Sequence, residues 1–428
     1  MKMHRIDIRE IPGFIIGNAE NTEGGTGCTV IISEQGAVGG VDVRGGAPAT
    51  RETDLLRSEN TVENINAVVL SGGSAFGLEA ASGVMCRLAE KGVGFKVGDI
   101  SVPIVCGASL FDLAVGDPAA YPDKQMGTEA CDNAYAGVFE SGNHGAGTGA
   151  TCGKILGMER AMKTGLGTYA CSDGYIQVGA VTAVNACADV YNGAGNIIAG
   201  LRNMDGDKIV GSIKYLKGMV HSQSDPDLKL EDIREMAARE GAAMHTEETP
   251  EDVAEALQHA YEETSPDVYT EPDEKSEDIC LQEESDAPEE EYEISYVDSP
   301  EEPEEDTEPE EDEEPEEMPE VELSPEDMGY DIPFNTTISC LITNAKLTKS
   351  QANKLASILH DAYARSIKPV HSTMDGDTIF VMCSGETEVN FDAFAALATD
   401  ILQYAIIDAA NTAESAYGLP AARDIIRK

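Results

Sequence analysis

Apolar residues recur along this chain with two different periods, and together they predict strands alternating with helices. Runs at 28–33 (CTVIIS) and 65–71 (INAVVLS) are short and apolar, which predicts strands. From 74 to 91, Leu78, Ala81, Met85 and Leu88 share one helical face, with Ser74 as cap and Gly92 as stop. The Val- and Ala-rich run 176–188 (IQVGAVTAVNACA) predicts a buried strand. Residues 336–343 (TTISCLIT) alternate as a strand does. A helix is predicted at 349–367, with Leu355, Ile358, Leu359, Ala362 and Tyr363 on one face. A strand at 378–383 (TIFVMC) follows the turn Asp375-Gly376-Asp377. The last helix, 391–417, is apolar most of the way round, which predicts burial.

This order divides the chain into three. Residues 1–223 form a β/α body. Residues 224–330 differ in composition: short helices are predicted at 228–240 and at 250–263, the second with Thr249 as N-cap and Pro250 at its first position. Residues 331–428 read β-α-β-α, too small and too apolar to stand alone. They are expected to complete the core of the first piece, giving one discontinuous α/β domain.

Charge sharpens that division. Of the net charge of −50, the segment 265–330 carries −30, with 31 acids and one lysine. Such a segment cannot bury enough apolar surface to offset chain ordering, so its composition predicts disorder. It would solvate, tether a basic partner, or act as a flexible lead to the strand that follows. The acidic balance argues against nucleic acid and against anionic membrane surfaces. No run of eighteen apolar residues occurs, so no membrane span is expected. The opening MKMHRIDIRE has no apolar signal region, which makes the cytoplasm the expected location. The ten cysteines form no CxxC pair and none has a His at ligand spacing. Free thiols are expected, with no metal and no cofactor.

The candidate chemistry gathers at the start of the 336–343 strand. A hydroxyl residue that opens a strand just after a flexible segment suits a self-cleaving N-terminal nucleophile. Scission of the Asn335–Thr336 bond would free an α-amine beside the Thr336 hydroxyl. That amine titrates near pH ~8, so it could take the hydroxyl proton at neutral pH. Asp375 and Asp377, two apart at a strand start, could hold the ammonium and orient the hydroxyl; ordinary turn chemistry explains them as well. His371 is a nearby base that such a nucleophile does not need. Gly72, Gly73 and Ser74 join a strand to a helix start and could aim N–H groups at an oxyanion, or simply cap the helix. Asn185, alone in an apolar strand, needs a hydrogen-bond partner, and an oxyanion donor is one use for it. Lys163 (AMKTGLG) matters only together with Asn185. The run 145–151 (GAGTGAT) fails the P-loop spacing before Lys154 and fits close backbone packing better.

These residues sit in stretches that resemble the L-aminopeptidase/D-esterase (DmpA-like) family, which also includes β-aminopeptidases and nylon-oligomer hydrolases. The matching runs are 24–32 (GGTGCTVII), 45–56 (GGAPATRETDLL), 66–84 (NAVVLSGGSAFGLEAASGV), 103–113 (PIVCGASLFDL), 147–154 (GTGATCGK), 162–168 (MKTGLGT), 178–186 (VGAVTAVNA), 334–338 (FNTTI) and 369–380 (PVHSTMDGDTIF). They occur in family order over about three quarters of the chain.

The resemblance implies a four-layer αββα sandwich that matures by cutting itself before its nucleophile. By the same resemblance, Thr336 is that nucleophile, and the cut leaves chains of 335 and 93 residues. Asp375 and Asp377 match the acidic pair of the Thr-nucleophile branch, Asn185 the oxyanion Asn, and Lys163 a site Lys. The resemblance further implies a small peptide or amide substrate, a hydrolase that goes through a Thr acyl-enzyme, and a homotetramer. An acyltransferase on the same scaffold, and a non-catalytic binder that uses the acidic segment, stay open as alternatives. The long segment 224–330 departs from the family pattern, which has a much shorter linker there.

Overall fold

The computed structural model describes residues 3–218 and 335–425. The helices expected at 228–240 and 250–263 and the acidic segment 265–330 lie outside the described residues. Two half-sheets share one long strand. In the first half, β1 (Ile15–Asn21) pairs antiparallel with the start of β2 (Thr26–Val43). On the other side of β2 lies β3 (Asn64–Ser71), antiparallel to it. Helix α1 (Ala80–Glu90) leads to β4 (Val105–Ser109), which runs parallel to β3, and α2 (Lys124–Ala136) follows. The two helices cover one face of this half: Val84, Leu88, Ala130 and Cys131 pack on Cys28, Val30, Ile32, Ala67 and Val69.

The second half is built from both ends of the chain. Strands β5 (Leu166–Ser172) and β6 (Gln177–Asn185) form an antiparallel pair. Next to β6 comes β7 (Thr336–Ala345), followed in sequence by α3 (Lys349–Ser366), β8 (Thr378–Thr387) and α4 (Phe391–Thr412). The strand order here is β5-β6-β7-β8-β2, with β7 and β8 parallel. Residues Val38–Val43 of β2 pair with β8 after a register shift between Ile32 and Ala37. Strand β2 thus runs from one half-sheet into the other.

Alternation along each strand sorts the side chains. Ile338, Cys340, Ile342, Phe380 and Met382 share a core with Val68, Leu70, Cys106 and Ala108 of the first half. Their neighbours Leu341, Ala345, Ile379 and Val381 face α3 and α4 instead. The layers are therefore helices, sheet, sheet, helices, the expected αββα sandwich. With both faces of each half-sheet buried, the strands read as near-continuous apolar runs. Each fully buried Leu, Ile, Val or Phe contributes about 1.5–3 kcal/mol.

Helix α4 has the length and hydropathy (1.3) to cross a membrane, which counting uninterrupted apolar residues did not register. In the fold it is a core helix. It lies so close to β5 that a Cβ on Gly167 would meet Ala405 O at 2.1 Å. It ends at Thr412 and not at 417, where Ala413 turns extended. The predicted 74–91 helix also differs. Residues Ser74–Glu79 form a 3-10 turn, and Ser74 has φ +52°, so it is not the cap of α1. The nine described cysteines are free thiols. No cluster of three metal-ligating side chains occurs among the described residues.

Candidate active site

Thr336 opens β7 as the cross-strand partner of Asn185, which closes β6. It is 4% exposed. Just before it, Asn335 pairs with Asp375 through a parallel bridge. The Asn335 N–H donates to Met374 O at 3.0 Å, and the Gly376 N–H donates to Asn335 O at 2.8 Å. The Thr336 hydroxyl donates to the same carbonyl oxygen. Hydroxyl and main-chain amide thus converge on the carbonyl of the Asn335–Thr336 bond. Glycine is required at 376 for this approach: a Cβ there would lie 2.6 Å from Thr336 Oγ1 and 2.8 Å from Ala47 O.

The acidic pair sits in the same loop. Asp377 Oδ1 accepts the Thr337 N–H at 2.8 Å. Its Oδ2 accepts the His371 backbone N–H at 3.2 Å and lies 2.8 Å from His371 Nδ1. Asp375 Oδ2 accepts the Ser372 N–H at 2.8 Å. The main chain of the loop is tied to the segment after β2: Ala47 N–H donates to Asp375 O at 2.8 Å, and Arg44 N–H to Asp377 O at 3.0 Å. Burial first, and the neighbouring Asp377 second, push Asp375 up to about 6, while Lys154 pulls the other way.

Asn185 is buried completely. Its Oδ1 gathers Lys154 Nζ at 2.7 Å, Thr151 N–H at 3.1 Å and Thr151 Oγ1–H at 3.2 Å. Its Nδ2 donates to Phe111 O at 2.7 Å. Three donors on one side and a carbonyl on the other fix the orientation of the amide. Lys154 Nζ also approaches Asn185 O at 3.3 Å. Burial lowers Lys154 to about 8, against the pull of Asp375 and Asp112 among others.

Lys154, then, is the lysine at Asn185, and sequence reasoning missed it. In the sequence it stands out only at the end of a run that fails the P-loop spacing. The 147–154 run that carries it was a usable signal, since it was among the matching stretches. Lys163 is placed elsewhere. Its Nζ donates to the carbonyls of Gly147 (2.9 Å), Ala150 (3.1 Å) and Thr164. Burial lowers it to about 7, opposed by Asp112. That set of partners holds the 147–150 turn against residues 163–164, just before β5.

The Gly72–Ser74 loop has its donors engaged. Gly72 N–H donates to Gly27 O at 2.9 Å, and Ser74 N–H to Leu110 O at 2.8 Å. Gly73 N–H donates to Asp112 Oδ1 at 2.7 Å. Asp112, raised to about 6 by burial, also accepts Thr26 Oγ1–H at 2.7 Å. These N–H groups serve to brace the loop, and none is directed at Thr336 as an oxyanion donor.

The arrangement offers a hydroxyl against a carbonyl, a main-chain donor on that carbonyl, a carboxyl raised toward neutrality, and a buried lysine on a buried amide. Those are the parts of acyl transfer. The pattern of peptidase family S58 matches residues 7–422. An uncharacterized aminopeptidase of Mycobacterium tuberculosis is 30% identical, over 93% of this chain and 89% of its own length. A 6-aminohexanoate-oligomer endohydrolase of Kocuria sp. is 25% identical, over 94% of this chain and 85% of its own. Among solved structures, the L-aminopeptidase D-Ala-esterase/amidase of Ochrobactrum anthropi, described as a variant of the Ntn-hydrolase fold, overlays with a TM-score of 0.54. That overlay covers 98% of this chain and 93% of the other at 14% identity, so the likeness is one of fold.

Proposed function

The chain belongs to peptidase family S58 and is a hydrolase of the DmpA-like, Ntn type; on that footing we propose that it cuts itself between Asn335 and Thr336 and then hydrolyses amides through Thr336. The observation that supports this most is the convergence of the Thr336 hydroxyl and the Gly376 N–H on the Asn335 carbonyl oxygen.

In the uncut chain the Thr336 nitrogen is an amide and cannot serve as base. Asp375, backbone-paired with Asn335 and raised toward neutrality, takes the hydroxyl proton as Oγ1 bonds to the Asn335 carbonyl carbon. The Gly376 N–H steadies the oxyanion. The C–N bond then breaks, and the proton passes to the Thr336 nitrogen, leaving an ester on Oγ1. Water hydrolyses that ester, which frees the Asn335 carboxylate and the Thr336 amine and hydroxyl.

In turnover the new amine takes over as base. Thr336 Oγ1 attacks the substrate carbonyl, the leaving amine receives the proton, and water releases the acyl group. Asp375 and Asp377 orient the ammonium, and Lys154 with Asn185 forms the polar wall facing the nucleophile. Small peptides and amino-acid amides are the substrate class, in keeping with the aminopeptidase and oligomer-hydrolase names of the relatives. The homotetramer and the cytoplasmic location belong to the same proposal.

Intact mass and N-terminal sequencing of freshly purified protein test it. A fragment beginning Thr-Thr-Ile-Ser in the wild type, absent from Thr336→Ala, is expected. Turnover by an uncut Thr336→Ala protein would refute the assignment.

A further inference from the structure

His371 has no part in the chemistry above, yet it makes two hydrogen bonds to one oxygen of Asp377. Its ring Nδ1 lies 2.8 Å from Asp377 Oδ2 and its backbone N lies 3.2 Å away. Its backbone is held at φ +57°, a region that few residues other than Gly adopt but in which His, Asn and Asp are enriched. The ring packs edge-on to His360, with centroids 4.6 Å apart, and stacks with Tyr363 at 6.1 Å. The other oxygen of Asp377 accepts the N–H of Thr337, the residue after the nucleophile.

We infer that His371 is a positioning residue: as the Nδ1–H tautomer it holds Asp377 aimed at the start of β7, where Thr336 must be presented. This rests on the nucleophile assignment above and adds the group that keeps its acidic partner in place.

The charged and titratable groups around the ring fit this role. Asp377 faces it from its own loop. From α3 come His360 and Tyr363, whose hydroxyl is shared with Ser339 Oγ of β7 at 2.7 Å. Behind His360 stand Asp42 of β2, whose carbonyl oxygen lies 3.2 Å from His360 Nε2, and Arg44 just beyond it. Burial and the nearby His371 push His360 down to about 4, so it is neutral at working pH. Nε2 of His371 is buried without a partner, which suits an unprotonated nitrogen better than an N–H. Nδ1 is then the protonated position, and Asp377 is its acceptor.

Two substitutions separate positioning from packing. His371→Gly keeps the left-handed backbone and its N–H but removes the ring donor. His371→Asn also accepts that backbone, and its side-chain amide restores a donor near Nδ1. Expected for the Gly variant is a lower kcat at unchanged KM. The Asn variant is expected to recover most of that loss. A Gly variant with the kcat of the wild type, or an Asn variant no better than Gly, would overturn the inference. Side-chain 15N NMR of uncut Thr336→Ala protein decides the matter independently of activity. A neutral Nδ1–H tautomer of His371 is expected, and an Nε2–H tautomer would refute it. Should the wild type neither cut itself nor turn over substrate, the nucleophile assignment fails while this NMR measurement still gives its own answer.

Discussion

Lys154 Nζ lies 2.7 Å from Asn185 Oδ1, and Asn185 is the cross-strand partner of Thr336. Both side chains are buried, so the contact is made in a low-dielectric setting where it orients as well as stabilises. Lys154→Met removes the donor and leaves the Asn185 oxygen to Thr151. Self-cleavage and turnover are expected to fall on the order of a hundredfold, the usual reach of one acid–base or polarising group. A time course of cleavage by mass spectrometry measures it.

Lys163→Met should behave in the opposite way. It leaves the carbonyls of Gly147, Ala150 and Thr164 without their shared donor. An unsatisfied buried group costs about 1–3 kcal/mol. The melting temperature is expected to drop by several degrees, while the fraction that folds still cuts at Asn335. Thermal unfolding combined with N-terminal sequencing separates the two lysines.

Gly376→Ala places a Cβ 2.6 Å from Thr336 Oγ1 and 2.8 Å from the main-chain oxygen of Ala47. The Ala47 carbonyl cannot swing aside, because the loop is tied there by main-chain hydrogen bonds. The Thr336 hydroxyl must therefore leave its position. Overpacking of this kind costs roughly 1–3 kcal/mol. The variant is expected to fold with a modestly lower melting temperature and to remain uncut over the period in which the wild type is processed. Gel analysis of the two fragments reads the outcome.

Asp375 makes stability depend on pH. Its folded-state affinity for a proton is raised, from 3.8 to about 6, chiefly by burial. A raised group contributes stability that is present below the unfolded value and is lost as pH climbs through the folded one. Asp375→Asn removes that loss. Compared in a Thr336→Ala background, where both proteins stay uncut, the Asn variant is expected to gain on its parent between pH 4 and pH 6. The gap should reach at least about 2 °C at pH 7. Equal melting curves at both ends of that range would contradict the assignment of the buried carboxyl.

Much of this was legible along the chain, because local periodicity and turn chemistry carry it. Alternation gave β7, and the helical face of Leu355, Leu359 and Tyr363 gave α3 to within a residue of its end. The Asp375-Gly376-Asp377 turn was visible beside the strand it opens. A hydroxyl before a helix reads as a cap, but Ser74 opens a 3-10 turn at φ +52° and gives its N–H to Leu110 O. Local preference yields when a tertiary hydrogen bond wins.

The sequence by itself determined the α/β class, the strand that Thr336 opens, and the small set of polar residues that interrupt apolar runs. Only the tertiary structure decided which of those residues meet. Lys154 and Lys163 are nine positions apart, both buried, and chemically alike. What separates them is that Lys154 reaches the side chain of Asn185, which the pairing of β6 with β7 sets beside Thr336 across the whole acidic segment, whereas Lys163 reaches the main-chain carbonyls of Gly147, Ala150 and Thr164. Periodicity reports which face of a strand a side chain takes. It says nothing about which distant strand will lie beside it, and that pairing decides which buried polar group becomes the neighbour of Thr336.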